Sequence, residues 1–175
     1  MSGELAACFA NLVAEGYVTD KGTTHSYIPW YEELLAPYRL LPVAILEIGV
    51  YAGASVRLWR DYFVNGTVYG IERAPEYAGH IPGVRVIFGD ATRPETWAGI
   101  DGLDIVIDDG SHHTDDIVWA FRAGSPLVYP GGFWIIEDIQ SDAVIERLAA
   151  EATFEVVDRR NIGHSDDRLC IWRPA

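Results

Sequence analysis

The sequence predicts an α/β fold in which helices flank a doubly wound sheet of seven strands. Two observations predict this fold. Beyond residue 40, short apolar runs alternate with segments of helical spacing, which is typical of βαβ units and a parallel sheet. The last two runs are joined only by the polar loop 159–167, which is too short for a crossover helix, so they should form an antiparallel hairpin.

Each predicted strand is a short apolar run, and a continuous run indicates a strand that is buried on both faces. The strands are expected at Val43–Ile48, Thr67–Ile71, Val84–Phe88, Leu103–Ile107, Phe133–Ile136, Phe154–Asp158 and Arg168–Trp172. The helices are expected at Leu5–Ala14, Ile28–Leu35, Tyr51–Phe63, Thr114–Leu127 and Ser141–Ala150. We therefore expect a single domain over 1–175, with an N-terminal helical cap (1–40) over the ligand end of a Rossmann-like core (41–175).

Composition and charge narrow the classes of partner. Hydrophobic residues make up 49% of the 175 residues and charged residues 22%, which is typical of a globular chain and excludes a disordered one. The formal net charge of −13 repels phosphate backbones and anionic lipids, so nucleic acid and membrane partners are not expected. We expect a small-molecule ligand, with a divalent cation as a further candidate.

The expected location is the cytoplasm. The first residues carry no basic region followed by an apolar run, as a signal peptide would, and no apolar stretch approaches the roughly 20 residues of a membrane span. Cys8 and Cys170 are too few for a zinc cluster. Free thiols are the expectation, and a disulfide between them stays open.

A glycine loop follows the first predicted strand, in the string Glu47-Ile-Gly49-Val-Tyr51-Ala-Gly53. Ligands of doubly wound sheets bind at the carboxyl ends of the strands, and glycine lets the backbone turn tightly and approach a ligand. The spacing differs from the GxGxxG of dinucleotide binding, and no Lys-Ser or Lys-Thr pair makes a phosphate-binding P-loop. Glu47, expected at the mouth, would also repel a pyrophosphate.

Acids follow the second and third strands as well. Glu72 lies about 20 residues past the glycine loop, where an acid can accept hydrogen bonds from both hydroxyls of a ribose. Asp90, in Gly89-Asp90-Ala91, follows the third strand where an adenine amino group would arrive. One such acid alone is more often a solvated loop residue, but their repetition at successive strand ends favours a ligand site.

The order Glu-x-Gly-x-x-x-Gly, Gly-Ile-Glu and Gly-Asp-Ala resembles a class I S-adenosylmethionine-dependent methyltransferase over residues 43–138. The resemblance implies that the glycine loop holds the methionine part of the cofactor, Glu72 the ribose and Asp90 the adenine. The residues expected to bind the cofactor are Lys21, Glu47, Gly49, Tyr51, Gly53, Glu72, Asp90, Ala91 and Asp108.

A cluster of acids and histidines follows the fourth and fifth strands, as Asp108-Asp109-Gly-Ser-His112-His113 and Glu137-Asp138. If these strands are neighbours, about 4.8 Å apart, the carboxylates converge. Like charges at that distance repel unless a cation lies among them, and an oxygen-rich set suits Mg²⁺. In the alternative interpretation, Asp108 contacts the cofactor or a helix dipole, Asp109 caps the next helix and the histidines lie at the surface.

This second string resembles the metal-dependent sugar O-methyltransferases of macrolide antibiotic biosynthesis. That resemblance implies Asp109, Glu137 and Asp138 as Mg²⁺ ligands and His112 as general base, with no role for His113. The expected enzyme is an O-methyltransferase that acts on a hydroxyl of a small molecule or natural product, within a vicinal diol such as that of a sugar. Two adjacent hydroxyls on Mg²⁺ become more acidic, and a histidine titrates close enough to neutral pH to take the proton.

The polar segment Thr19–Tyr27 resembles the cofactor-capping segment of the same group. Lys21 would either offset the nearby acids or meet the cofactor carboxylate, and His25 and Tyr27 would close over the pocket. A plain capped turn before the helix at Ile28 is the other interpretation.

Two other functions stay open: a non-catalytic S-adenosylmethionine-binding module, and a metal-dependent hydroxylase of the cephalosporin hydroxylase-like group. The adenosine-type acids and the lack of a clear two-His-one-carboxylate triad disfavour the hydroxylase. The 175 residues leave out the long inserts of antibiotic-tailoring enzymes, so we expect an acceptor pocket that is small, open or completed by a partner subunit. A homo-oligomer is therefore an open expectation.

Overall fold

The computed structural model describes residues 3–175 and has a mixed seven-stranded sheet in the order β3-β2-β1-β4-β5-β7-β6. The strands are β1 Ala44–Ile48, β2 Thr67–Glu72, β3 Val84–Phe88, β4 Leu103–Asp108, β5 Val128–Ile136, β6 Glu155–Asp158 and β7 Arg168–Trp172. β7 is antiparallel to both its neighbours, and the pairs along the rest of the sheet are parallel. The predicted doubly wound sheet with its terminal hairpin is confirmed.

The α-helices are close to the predicted ones. They are α1 Glu4–Ala14, α2 Tyr27–Leu35, α3 Ala54–Tyr62, α4 Thr114–Gly124 and α5 Asp142–Ala149. α3 begins later than the expected Tyr51, because the glycine loop is irregular and Gly53 has a left-handed φ of 80° where the helix starts. β5 begins at Val128 rather than Phe133, with an irregularity in its pairing to β4.

The central strands are buried on both faces, which explains their continuous apolar runs. On one face, residues such as Ile45, Ile107 and Ile135 pack in a cluster with α1, α2 and α3. On the other face, their neighbours in sequence, such as Leu46 and Trp134, pack against α4 and α5. Since side chains alternate along a strand, each residue of β1 belongs to one of these two layers.

The N-terminal helices pack on one face of the sheet, where the apolar sides of α1 and α2, with Leu5 and Leu35, join the cluster with α3. The stretch between the two helices reaches the ligand end, where Val18 and Thr23 help to line a cavity. α2 reaches the same end through its first residue, Tyr27, whose hydroxyl bonds an acid that follows β5. This stretch and the start of α2 are therefore the N-terminal parts that lie at the ligand end.

Neither cysteine forms a disulfide in the described chain. Cys8 is half-buried and Cys170 is buried, and both thiols are free. Burial raises the pKa of the Cys170 thiol to about 11, so the thiol stays protonated and unreactive at neutral pH. Among residues 3–175, no helix is long and apolar enough to cross a membrane.

Candidate active site

A cavity of about 680 Å³ opens at the carboxyl ends of β1, β2, β3 and β4. This is where doubly wound sheets place their ligands. Predicted site residues that line the cavity are Gly49, Tyr51, Glu72, Asp90, Ala91, Asp108, Asp109 and His112. Predicted site residues outside its lining are Lys21, Glu47, Gly53, Glu137 and Asp138.

The glycine loop packs directly on the loop that follows β4. Gly49 has a φ of 90°, and a Cβ atom there would lie 2.0 Å from the carbonyl oxygen of Asp109. Only glycine avoids that clash and adopts this φ without strain. Gly49 therefore brings the first loop against the acid cluster, in addition to shaping the cavity wall.

Glu72 ties the end of β2 to the glycine loop. Its Oε2 accepts hydrogen bonds from the backbone N–H groups of Val50, at 3.1 Å, and Tyr51, at 2.8 Å. Its Oε1 accepts one from the N–H of Ala74, at 2.8 Å. A carboxylate offers about four acceptor positions, so Glu72 retains capacity for a hydroxyl in the cavity that it lines.

Asp90 is held by a local turn at the end of β3. Its Oδ1 accepts hydrogen bonds from the backbone N–H of Thr92, at 2.9 Å, and from the Thr92 hydroxyl, at 2.8 Å. The backbone bond above all lowers the pKa of Asp90, so the carboxylate stays ionised. An ionised carboxylate in the wall of the cavity can accept hydrogen bonds from an amino group.

Asp108 presents an unsatisfied acceptor to the cavity. Its side chain is buried, and its Oδ2 has no hydrogen-bond partner within residues 3–175. Burial raises the pKa of Asp108 to about 7, because the charged form loses its hydration. A buried acceptor without a partner costs free energy, so a ligand that donates a hydrogen bond or carries a positive charge would be favoured there.

The raised pKa of Asp108 predicts a pH dependence of stability that Asp108→Asn removes. The folded-state pKa of about 7 lies above the ordinary 3.8, so the fold favours the protonated form. The stability that this preference contributes is fully present below pH 3.8 and is lost as the pH rises through the folded-state pKa of about 7. Without ligands, we expect the free energy of unfolding of the native chain, relative to Asp108→Asn, to fall between these two pH values. Urea unfolding across this range measures it, and parallel pH profiles would contradict it.

The register of the sheet brings the predicted acid cluster together. Asp108 pairs with Ile136 across β4 and β5, so Asp109 and Glu137 leave neighbouring strands side by side. Lys21 lies between them, fully buried, with its Nζ 2.6 Å from Asp109 Oδ2 and 2.6 Å from Glu137 Oε2. The sequence left open whether Lys21 offsets the nearby acids or meets the cofactor carboxylate, and in the structure it lies among the acids.

Glu47 lies behind the cavity rather than at its mouth. Glu47 shares its face of β1 with Ile45, so it points into the layer of α3, where its Oε2 accepts a hydrogen bond from the Ser55 hydroxyl at 2.6 Å. Its Oε1 lies 3.2 Å from Lys21 Nζ. Burial raises the pKa of Glu47 to about 7 against the opposing effect of Lys21. The expected contact of Glu47 with a ligand at the mouth therefore has no counterpart in this geometry.

Residues of α2 and the segment before it hold the two acids that follow β5. The Tyr31 hydroxyl donates to Glu137 Oε1, and the Tyr27 hydroxyl donates to Asp138 Oδ1 at 2.6 Å. His25 stacks on Tyr27 and places its Nε2 3.5 Å from Asp138 Oδ2. Burial raises the pKa of both Glu137 and Asp138. The sequence analysis did not single out Tyr31, although its spacing of one helical turn from Tyr27 places both on one face of α2.

Candidate metal ligands converge at the edge of the cavity. Asp109, His112 and Asp138 each offer a ligand atom, and these atoms lie within 4.8 Å of one another. Two carboxylates and one imidazole, with room for waters, suit a small divalent cation. Glu137, the other predicted ligand, has both oxygens engaged by Lys21 and Tyr31. It could join such a site only through its remaining lone pairs.

Backbone strain is concentrated at this site. Of the described residues, Tyr51, His112 and Asp138 are the non-glycine residues with positive φ, at 46°, 57° and 53°. Such conformations cost about 1–3 kcal/mol each and cluster at functional sites. The exposed His113, by contrast, has an ordinary extended backbone at the start of α4. Strain therefore marks His112 rather than His113 as the positioned histidine.

Known proteins share this fold and part of its sequence. A family model described as a methyltransferase domain matches residues 46–139. An 8-demethyl-8-alpha-L-rhamnosyl tetracenomycin-C 2'-O-methyltransferase of Streptomyces olivaceus is 37% identical over 134 residues, covering 70% of this chain and 35% of that protein. A demethylmacrocin O-methyltransferase of Streptomyces fradiae is 33% identical over 141 residues, covering 74% of this chain and 36% of that protein.

A solved structure is similar as well. The MycE methyltransferase from the mycinamycin biosynthetic pathway, in complex with Mg, SAH and mycinamycin VI, matches with a TM-score of 0.68 and 33% identity. The match covers 78% of this chain and 39% of that one. The chain thus spans only about two fifths or less of the length of these relatives.

Proposed function

This chain belongs to the methyltransferase domain family, and on that premise we propose that it transfers a methyl group from S-adenosylmethionine to a hydroxyl of a small molecule. The observation that carries the proposal is that one cavity has the glycine loop and Glu72 in one part of its wall and Asp109 and His112 in another. A cofactor and a polar acceptor could therefore meet in a single space.

The cavity wall supports S-adenosylmethionine as the cofactor. Three backbone hydrogen bonds leave Glu72 about one acceptor position for a ribose hydroxyl, and the ionised Asp90 can accept a hydrogen bond from the adenine amino group. The unpaired Oδ2 of Asp108 suits the ammonium group of the methionine part. The chemistry of these donors and acceptors, rather than the glycine spacing alone, favours this cofactor over a dinucleotide.

The acid cluster supports the proposal that a divalent ion activates the acceptor hydroxyl. Mg²⁺ would be held by Asp109 and Asp138, with Glu137 as a third ligand, and would lower the pKa of bound vicinal hydroxyls. His112, which places Nε2 3.8 Å from Asp109 Oδ1, is the proposed general base rather than a metal ligand, because a base needs a free lone pair. It accepts the proton as the hydroxyl oxygen attacks the methyl carbon and the bond from that carbon to sulfur breaks.

The relatives indicate the class of acceptor. These relatives are O-methyltransferases of a rhamnosyl tetracenomycin-C and of demethylmacrocin, and the MycE complex contains both Mg and mycinamycin VI. We extend this to a vicinal diol on the sugar of a glycosylated natural product. The anionic chain, with its net charge of −13, agrees with an uncharged acceptor rather than a nucleic acid.

A methyl-transfer assay tests this function. The chain is incubated with S-adenosylmethionine labelled in the methyl group and with rhamnosyl or deoxysugar macrolides, with Mg²⁺ or after chelation. We expect label on a sugar oxygen, a loss of about 10²-fold or more in rate after chelation, and recovery with Mg²⁺. The matched control is an acceptor in which one of the two hydroxyls is already methylated. Equal rates after chelation would refute the role of the metal, and binding of cofactor without any transfer would favour a non-catalytic module.

A further inference from the structure

Lys21 is a buried charged residue that the proposed mechanism does not use. Lys21 is fully buried, and its ammonium group lies within 3.2 Å of oxygens from Glu47, Asp109 and Glu137. These acids come from β1 and from the loops after β4 and β5, whereas Lys21 is distant from them in sequence, in the N-terminal part of the chain. A lysine is rarely buried without paired charges, so these carboxylates explain its position.

The balance of charge around Lys21 favours its ionised state. Burial alone disfavours the ammonium form, but carboxylate oxygens of Asp109, Glu137 and Glu47 within 3.2 Å of Nζ favour it. In turn, the ammonium group offsets the repulsion between carboxylates that lie on neighbouring strands. Removal of a single partner from such a buried group leaves uncompensated charge, which is strongly destabilising.

The backbone around Lys21 forms one wall of the cavity. Asp20–Gly22 is a short 3₁₀ turn in which the N–H groups of Thr23, Thr24 and His25 all donate to the carbonyl oxygen of Asp20. Asp20 and Thr23, which flank Lys21 in sequence, line the cavity, while the Lys21 side chain lies outside the lining and contacts Asp109 and Glu137. Lys21 therefore joins the wall of the proposed cofactor site to the proposed metal site.

We propose that Lys21 is a positioning residue, a fixed counter-cation that holds Asp109 and Glu137 together before a metal binds, makes the proposed metal site less negative, and fastens the capping turn Asp20–Gly22 to the acid cluster. This inference rests on the proposed function, since it gives Lys21 a role toward the same metal ligands. Lys21 does not touch the reacting atoms. It acts through the carboxylates, whose positions and net charge it sets.

The test compares Lys21→Met with Tyr31→Phe. Lys21→Met keeps the volume and removes the charge, whereas Tyr31→Phe removes a hydrogen bond to Glu137 without any change in charge. Melting temperatures are measured with and without MgCl₂, against NaCl of equal ionic strength. We expect both variants to melt lower than the native chain, but only Lys21→Met to show a larger Mg²⁺-dependent rise, by about twofold, because Mg²⁺ then meets a more negative site.

The outcomes separate this inference from the proposed function. A Mg²⁺-dependent rise in Lys21→Met that is equal to or smaller than the rise in the native chain and in Tyr31→Phe would overturn the inference. No Mg²⁺ response or methyl transfer by the native chain would instead refute the proposed function.

A variant that does not fold is still informative. If Lys21→Met is unfolded in NaCl, circular dichroism is followed as MgCl₂ is added. Folding that Mg²⁺ restores would support the inference, and a chain that stays unfolded at every Mg²⁺ concentration would overturn it. Lys21→Arg keeps the charge and is expected to retain the native response to Mg²⁺.

Discussion

His112→Ala should lower the rate of methyl transfer by about 10²–10⁴-fold while the affinity for S-adenosylmethionine stays unchanged. The proposed base lies beside Asp109 at the edge of the cavity, on a backbone with a φ of 57°. Its removal leaves the hydroxyl proton without an acceptor and leaves Glu72 and Asp90, the proposed cofactor contacts, in place. Single-turnover rates report the chemical step, and calorimetric titration reports cofactor binding.

His113→Ala is the matched control for this prediction. His113 is the next residue, is exposed, and contributes no side-chain contact to the acid cluster among the described residues. We expect it to retain the native rate. If His112→Ala retained the native rate as well, or if both variants lost activity equally, the assignment of His112 as the base would be refuted.

Gly49→Ala should destabilise the fold by several kcal/mol and abolish cofactor binding. A Cβ atom at Gly49 would lie 2.0 Å from the carbonyl oxygen of Asp109, on a backbone with a φ of 90°. The neighbour is backbone, so the glycine loop and the loop after β4 must move apart. That movement carries Glu72's hydrogen-bond partners Val50 and Tyr51 away from the ribose position. Denaturant unfolding gives the loss of stability, and titration gives the loss of binding.

Gly131→Ala separates the two causes in the Gly49 variant. Gly131 also has a φ of 90°, but a Cβ atom there would meet nothing within 4 Å among the described residues. It therefore carries only the cost of the left-handed conformation, about 1–2 kcal/mol. If Gly49→Ala cost no more than Gly131→Ala, the close approach of the two loops would not matter for stability.

The sheet could be predicted because its signals are local. The continuous apolar runs of β1 and β4 require strands buried on both faces, and the short loop between β6 and β7 allows only a hairpin. The apolar runs also indicate where each strand ends, and they therefore predict that Glu72, Asp90 and Asp109 lie at one edge of the sheet. Strand alternation would also have placed Glu47 on the face of Ile45, inside the fold, had it been applied to that residue.

The contacts of the N-terminal region could not be predicted in the same way. Lys21 meets Asp109 and Glu137, 88 and 116 residues further along the chain, and no local pattern encodes such a pairing. The packing of α1 and α2 with α3 depends on apolar partners outside each helix, which the helix's own spacing does not identify. The contact of His25 with Asp167, at 2.6 Å, likewise depends on the fold of the last hairpin.

Calorimetric titration of the native chain with S-adenosylmethionine, with and without Mg²⁺ and with NAD⁺ in a parallel cell, tests the central claim most directly. That claim is that the cavity bordered by Gly49, Glu72, Asp90 and Asp108 is a cofactor site for a methyl donor. We predict micromolar binding of S-adenosylmethionine even without Mg²⁺, and no binding of NAD⁺. Failure to bind S-adenosylmethionine, or a preference for NAD⁺, would contradict it.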